Sequence, residues 1–160
     1  MKKIAIEWWL GGALLVILLL RWLVMLHSHW NLVPDEAQYW WWSLSPDWGY
    51  FSKPPLIAWL IHLSTSLFGH SEAAIRSLSP LLYSLTAAMI FLITRHLADA
   101  RAGAWAALLF VTLAGVSYSS MLITTDVPLL AAWSIALYAF LRLGDDWRWS
   151  VLLGAALGSA

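Results

Sequence analysis

A series of long apolar runs constrains this chain more than any other feature. The runs cover about residues 6 to 26, 75 to 97, 102 to 121 and 126 to 143. Each is near the ~20 residues that a hydrocarbon core of about 30 Å requires. Inside lipid, every backbone N–H and C=O must be satisfied within the chain, so such runs become helices. Only 11% of the 160 residues are charged, against about 25% in soluble domains. The chain therefore reads as an all-α integral membrane protein with four transmembrane helices. Thirteen Trp suit a chain with much of its length near the membrane–water interface, where indole rings collect. Net charge is zero, which suggests no nucleic-acid partner. No cysteine is present, so disulfides, thiolate metal sites and Cys nucleophiles are excluded.

A last apolar run, 149 to 160, reads as the start of a fifth span. It reaches the end of the sequence without a polar cap, and the chain reads as the N-terminal part of a larger protein. An interfacial terminal helix is the alternative. At the other end, Lys2 and Lys3 before an apolar run also fit a signal peptide. No A-x-A-like cleavage site follows, however, and further membrane segments do. Arg21 lies near the far end of the first run, where a long side chain can snorkel to the headgroups.

The polar groups gather in one place, residues 34 to 55, PDEAQYWWWSLSPDWGYFSKPP. Pro34 suits the first position of a short helix reaching about Leu44. Ser45, Pro46, Asp47, Trp48 and Gly49 are turn residues. The run 56 to 68 is too short to span easily and is amphipathic, with Leu56, Trp59, Leu60, Leu63 and Leu67 on one face. It reads as a second helix lying on the membrane.

Charge placement supports that choice. If 56 to 68 stays on the surface, Lys2, Lys3, Arg95, Arg101, Arg142 and Arg148 all fall on the cytoplasmic side, as the positive-inside rule prefers. If it crosses, the four arginines move outside. The surface arrangement sets Asp35, Glu36, Lys53, Glu72, Arg76 and Asp126 on one outer face.

Several of these residues can carry chemistry. Asp35 and Glu36 are helix-start acids favoured by the macrodipole. Acids beside a bilayer are nonetheless costly, and a carboxylate here can take a proton from an acceptor hydroxyl. Lys53 in SKPP is either a snorkelling lysine or a ligand for a lipid phosphate, whose developing charge an ammonium stabilises. Arg76 either pairs with Glu72 four residues before it or clamps a phosphate. Asp126 in TTDVP is helix-start chemistry, or a second acid facing the same site. His27 and His29 offer two nitrogens, too few and too loosely spaced to specify a metal. Trp40, Trp41 and Trp42 suit membrane anchoring, with sugar stacking as the alternative. A transporter should carry charges in mid-span, yet Arg21 is the only candidate.

Taken in order, PDEAQYW, SKPPLIAWL, FGHSEAAIRSLSPLLYSLTAAMIF and TTDVPLLAAW resemble the GT-C class of membrane glycosyltransferases. Within it they resemble the bacterial branch that includes the lipid A aminoarabinose transferases and the protein O-mannosyltransferases. The resemblance implies transfer of a sugar, with inversion, from a polyprenyl-phosphate carrier to a lipid or protein acceptor. It also implies an outward-facing site in the bacterial inner membrane; no residue is assigned to a cofactor or metal, and the sequence leaves metal dependence open. By motif, Asp35 is the catalytic acid with Glu36 beside it. Lys53 lies on the carrier phosphate with Arg76, and Asp126, Tyr39 and Glu72 support the site. Full members carry about a dozen spans. The competing expectation is a small non-catalytic membrane or lipid-binding subunit.

Overall fold

A computed structural model describes residues 2–28 and 30–159. His29, half of the His27/His29 pair, lies outside the described residues, as do Ala160 and the side chains of Lys2 and Lys3. Among the described residues the chain is helical, with no strand. The helices are α1 (Lys2–His27), α2 (Pro34–Ser43), α3 (Leu56–Phe68), α4 (Glu72–Arg76), α5 (Leu78–Leu97), α6 (Ala100–Thr112), α7 (Ala114–Ser119), α8 (Asp126–Leu141) and α9 (Arg148–Ser159).

Two stretches are long and apolar enough to cross a membrane, Ile6–His27 and Glu72–Leu97. The second runs through α4 and α5 with only a brief irregularity at Ser77. Pro80 falls in the first turn of α5, where its missing N–H removes no intrahelical bond. Leu56–Phe68, Ala100–Thr112 and Asp126–Leu141 are shorter apolar helices.

α5 is the hub, packed against α6 and α8 and touching α1. The α5–α6 contact is close because α6 presents small residues, Ala100, Gly103, Ala104 and Ala107, at helical spacing. Leu10, Phe91 and Val111 complete that core. A second core holds Tyr39, Ile57, Ile61, Ile75, Tyr83, Ile123 and Val127, so α2 and α3 sit on the ends of α5 and α8. α1 runs antiparallel to α5. Arg95 near the end of α5 pairs with Glu7 near the start of α1 at 2.5 Å. At the opposite end Trp22 donates its indole N–H to the Ser77 carbonyl at 2.9 Å.

The expected continuous span from 102 to 121 is broken. α6 ends at Thr112, and Leu113 leaves the helical region with ψ 134° before α7 begins. Hydropathy alone does not show this, because the run stays apolar through the break. The freed Val111 carbonyl accepts 2.6 Å from Arg21 Nη2 and 3.2 Å from Ser117 Oγ. Arg21 thus turns inward and is buried, where snorkelling to the headgroups is expected of it.

Candidate active site

The polar groups around α2 are organised by Glu36, which is fully buried. Its carboxylate accepts four bonds, about the number of lone-pair sites it has. Arg76 Nε donates at 2.9 Å and Arg76 Nη2 at 2.5 Å. The Val33 N–H, just ahead of α2, donates at 3.1 Å, and the Ile123 N–H, ahead of α8, at 2.9 Å. Arg76 also donates to the Trp30 and Asn31 carbonyls, each at 3.0 Å. One ion pair therefore ties together the exit of α1, the start of α2, the end of α4 and the segment entering α8. Glu72, four residues before Arg76 and suited to an ion pair with it, instead stays exposed in the first turn of α4.

This tie places the other acids. Asp35 precedes Glu36 and so points elsewhere on the helix; it is exposed. Asp126 follows Ile123 by three residues and opens α8. Tyr39, one turn after Asp35, is buried. Its phenol lies in hydrogen-bond reach of the Thr125 side chain and within electrostatic range of both Asp35 and Asp126. Burial, and after it the Asp35 carboxylate, push the Tyr39 phenol above its ordinary value, so it remains a hydrogen-bond donor at neutral pH. Asp126 also lines a cavity of about 670 Å³ with Tyr83, Ser119, and Leu113 and Gly115 from the α6–α7 break.

Lys53 is exposed on the far arm of the 44–55 loop, where its backbone bridges Tyr50. Among the described residues no ion pair joins it to Asp35 or Asp126. The loop itself is well fastened. Tyr50 stacks on Trp42 at 4.9 Å and its hydroxyl donates to the Trp42 carbonyl. Trp59 donates to the Asp47 carbonyl at 2.9 Å. Trp40 donates to His70 at 3.2 Å. Of the three consecutive Trp, only Trp41 is left largely exposed, at 68%. Among the described residues no three His, Asp or Glu gather as metal ligands.

Spacing did not single out Tyr83, Ser119, Thr125 or Ile123 as neighbours of the site. The hydroxyl-rich stretch Ser117 to Ser120 inside an apolar run is the signal that marks that wall.

Residues 52–160 match the family described as dolichyl-phosphate-mannose-protein mannosyltransferase. The chain belongs to that family. The matched part of this mannosyltransferase-family chain includes Lys53, Glu72, Arg76 and Asp126 and begins after the α2 acids. The chain is 40% identical over 125 residues to a lipid A galacturonosyltransferase of Rhizobium johnstonii, covering 78% of this chain and 26% of that protein. It is 32% identical over 173 residues to undecaprenyl phosphate-alpha-4-amino-4-deoxy-L-arabinose arabinosyl transferase 2 of Pseudomonas fluorescens, covering 95% of this chain and 29% of that protein. The chain thus spans little more than a quarter of the length of these curated relatives. No solved structure matches it.

Proposed function

We propose that this chain carries the base and carrier-phosphate side of a membrane glycosyltransferase. The enzyme takes a sugar from a polyprenyl-phosphate donor and passes it to a lipid acceptor on the outer face of the bacterial inner membrane. The observation that carries this reading is that Glu36 ties the segment before α8 to α2, which brings Asp35 and Asp126 both within electrostatic range of Tyr39. Family membership and the printed functions of the two relatives support it. A protein acceptor fits the family description, and the lipid is favoured by the name of the Rhizobium relative.

Asp35 acts as base. It is exposed and has no ion-pair partner among the described residues, so it is free to take the proton of an acceptor hydroxyl. The acceptor oxygen bonds to the anomeric carbon from the face opposite the carrier. The bond from that carbon to the phosphate oxygen breaks, and its electron pair leaves with the polyprenyl phosphate. The sugar passes through an oxocarbenium-like state, as in other glycosyl transfers, and its configuration inverts. Lys53 stabilises the departing phosphate. Asp126 and Tyr39 orient the sugar from the cavity side. Glu36 and Arg76 are assigned here to the frame, because their hydrogen-bonding groups are largely committed to each other and to backbone. Glu72 stays at the rim.

The membrane arrangement belongs to the same proposal. Four spans, formed by α1, α4–α5, α6–α7 and α8, carry α2 and α3 along the outer surface, and α9 begins a fifth.

The test uses the full-length protein. Asp35→Asn keeps the size of the side chain and removes the base. Transfer to the lipid acceptor should fall by at least about 10²-fold, within the range for losing a general base, while membrane expression persists. Transfer at the wild-type rate would overturn the assignment.

A further inference from the structure

Arg21 is a charged group in an apolar stretch, Ile6–His27, that is long enough to span a membrane. It lies six residues before the end of α1, about 9 Å below it at 1.5 Å per residue. The side chain is only 8% exposed. Nη2 is held by the Val111 carbonyl at the α6–α7 break. Nη1 has no hydrogen-bond partner. Among the described residues no carboxylate pairs with Arg21. Tyr83 lies within electrostatic range of it, and no carboxylate among the described residues balances the charge there. A buried guanidinium with an unfilled donor and no counter-ion is costly, and ionisable groups at this depth are retained for use.

Arg21 also lines a cleft of about 350 Å³. Leu20 and Val24 form one wall, and Thr112, Ser117 and Met121 form the other. Beyond it, Val16, Leu20, Leu23 and Val24 continue along α1 as an exposed apolar stripe. One cation at the head of an apolar groove matches an amphiphile with one anionic head and a long hydrocarbon tail. Phosphate suits the guanidinium best, because its oxygens accept from two nitrogens at once.

We propose that this cleft binds the phosphate of a membrane lipid against Arg21, with the tail lying on α1. Binding requires the guanidinium to turn so that Nη1, buried without a partner as the side chain stands, faces the cleft. Two lipids share this chemistry, an anionic phospholipid and a polyprenyl phosphate. The site uses neither Asp35, Lys53 nor Asp126, so it does not rest on the glycosyltransferase reading.

Native mass spectrometry of the detergent-purified chain tests it. The chain is titrated in a Lys53→Met background, which removes the loop's own proposed phosphate ligand, separately with phosphatidylglycerol, undecaprenyl phosphate and dioleoylglycerol, which has tails and no phosphate. This parent chain should retain one phosphate lipid at least about tenfold better than dioleoylglycerol. Arg21→Met should remove that preference. Because this variant also loses the Val111 bond, a second one is needed. Leu20→Trp fills the cleft from an exposed position and leaves the Arg21–Val111 bond in place. It should lose the lipid while melting with the parent. Retention of phosphatidylglycerol alone assigns the site to the bilayer, and retention of undecaprenyl phosphate alone assigns it to the carrier. Equal retention of dioleoylglycerol, or parental binding by Leu20→Trp, would overturn the proposal.

Discussion

Glu36 and Asp35 are adjacent acids in the first turn of one helix, yet they occupy opposite environments. Glu36 has no exposure and pairs with Arg76, while Asp35 faces out. Removing one half of a buried pair leaves an uncompensated charge, at a cost of about 3–5 kcal/mol. Glu36→Gln does this with little change of shape. Its amide nitrogen must also face donors from Arg76, Val33 or Ile123, which accept nothing. We therefore expect Glu36→Gln to lower the melting temperature of the purified protein strongly, and Asp35→Asn to leave it nearly unchanged. Equal melting of the two variants would remove Glu36 from its place in the frame. The sequence marks both acids as notable but cannot divide their roles. That division depends on an arginine 40 residues away, and no local spacing encodes it.

At the scale of elements, legibility follows punctuation. The bounds expected for α2 and α3, 34 to 44 and 56 to 68, lie close to the observed Pro34–Ser43 and Leu56–Phe68. Pro34 and Gly69 mark a start and a stop, and Gly69 adopts φ +81°, which favours glycine. The α6–α7 break has no such mark, since its partner Arg21 lies 90 residues earlier in the chain. The close α5–α6 approach is half legible, as small residues recur but the tightest point is not evident. It is Gly103, where an added Cβ would lie 2.7 Å from the Phe91 carbonyl oxygen and 3.2 Å from the Arg95 nitrogen. Backbone atoms cannot rotate away, so the two helices must separate. Gly103→Ala should destabilise by about 1–3 kcal/mol, the usual range for overpacking. Gly12→Ala, with open space around it, should be neutral. Thermal melts in detergent separate the two, and unchanged melting of Gly103→Ala would show that the helices are less closely packed.

Across the whole molecule, the two ends of the helix bundle differ in charge. Arg95, which pairs with Glu7, marks one end, and Arg101 and Arg142 lie at turns that a bundle of this connectivity returns to that end. The Trp22–Ser77 bond marks the other end, with Asp35, Lys53 and Asp126 beyond it. In the proposed arrangement the positive-inside rule favours the cytoplasm for the arginine end, provided that α3 does not cross. α3 has 13 residues, about 20 Å at 1.5 Å per residue, which is short of a hydrocarbon core of about 30 Å. His62 on α3 bonds the Ser43 carbonyl at 2.9 Å, tying the helix to α2 rather than releasing it into lipid. The absence of cysteine from these 160 residues lets single introduced thiols report on their topology. Gly49→Cys, Ala98→Cys and Gly144→Cys each place one thiol at an exposed position without changing a charge. In intact cells an impermeant maleimide should label Gly49→Cys and spare the other two until the membrane is opened. If α3 crosses, Ala98→Cys and Gly144→Cys should label along with Gly49→Cys. That result would leave Asp126 on the side of the membrane opposite Lys53, and a single site containing both would be impossible.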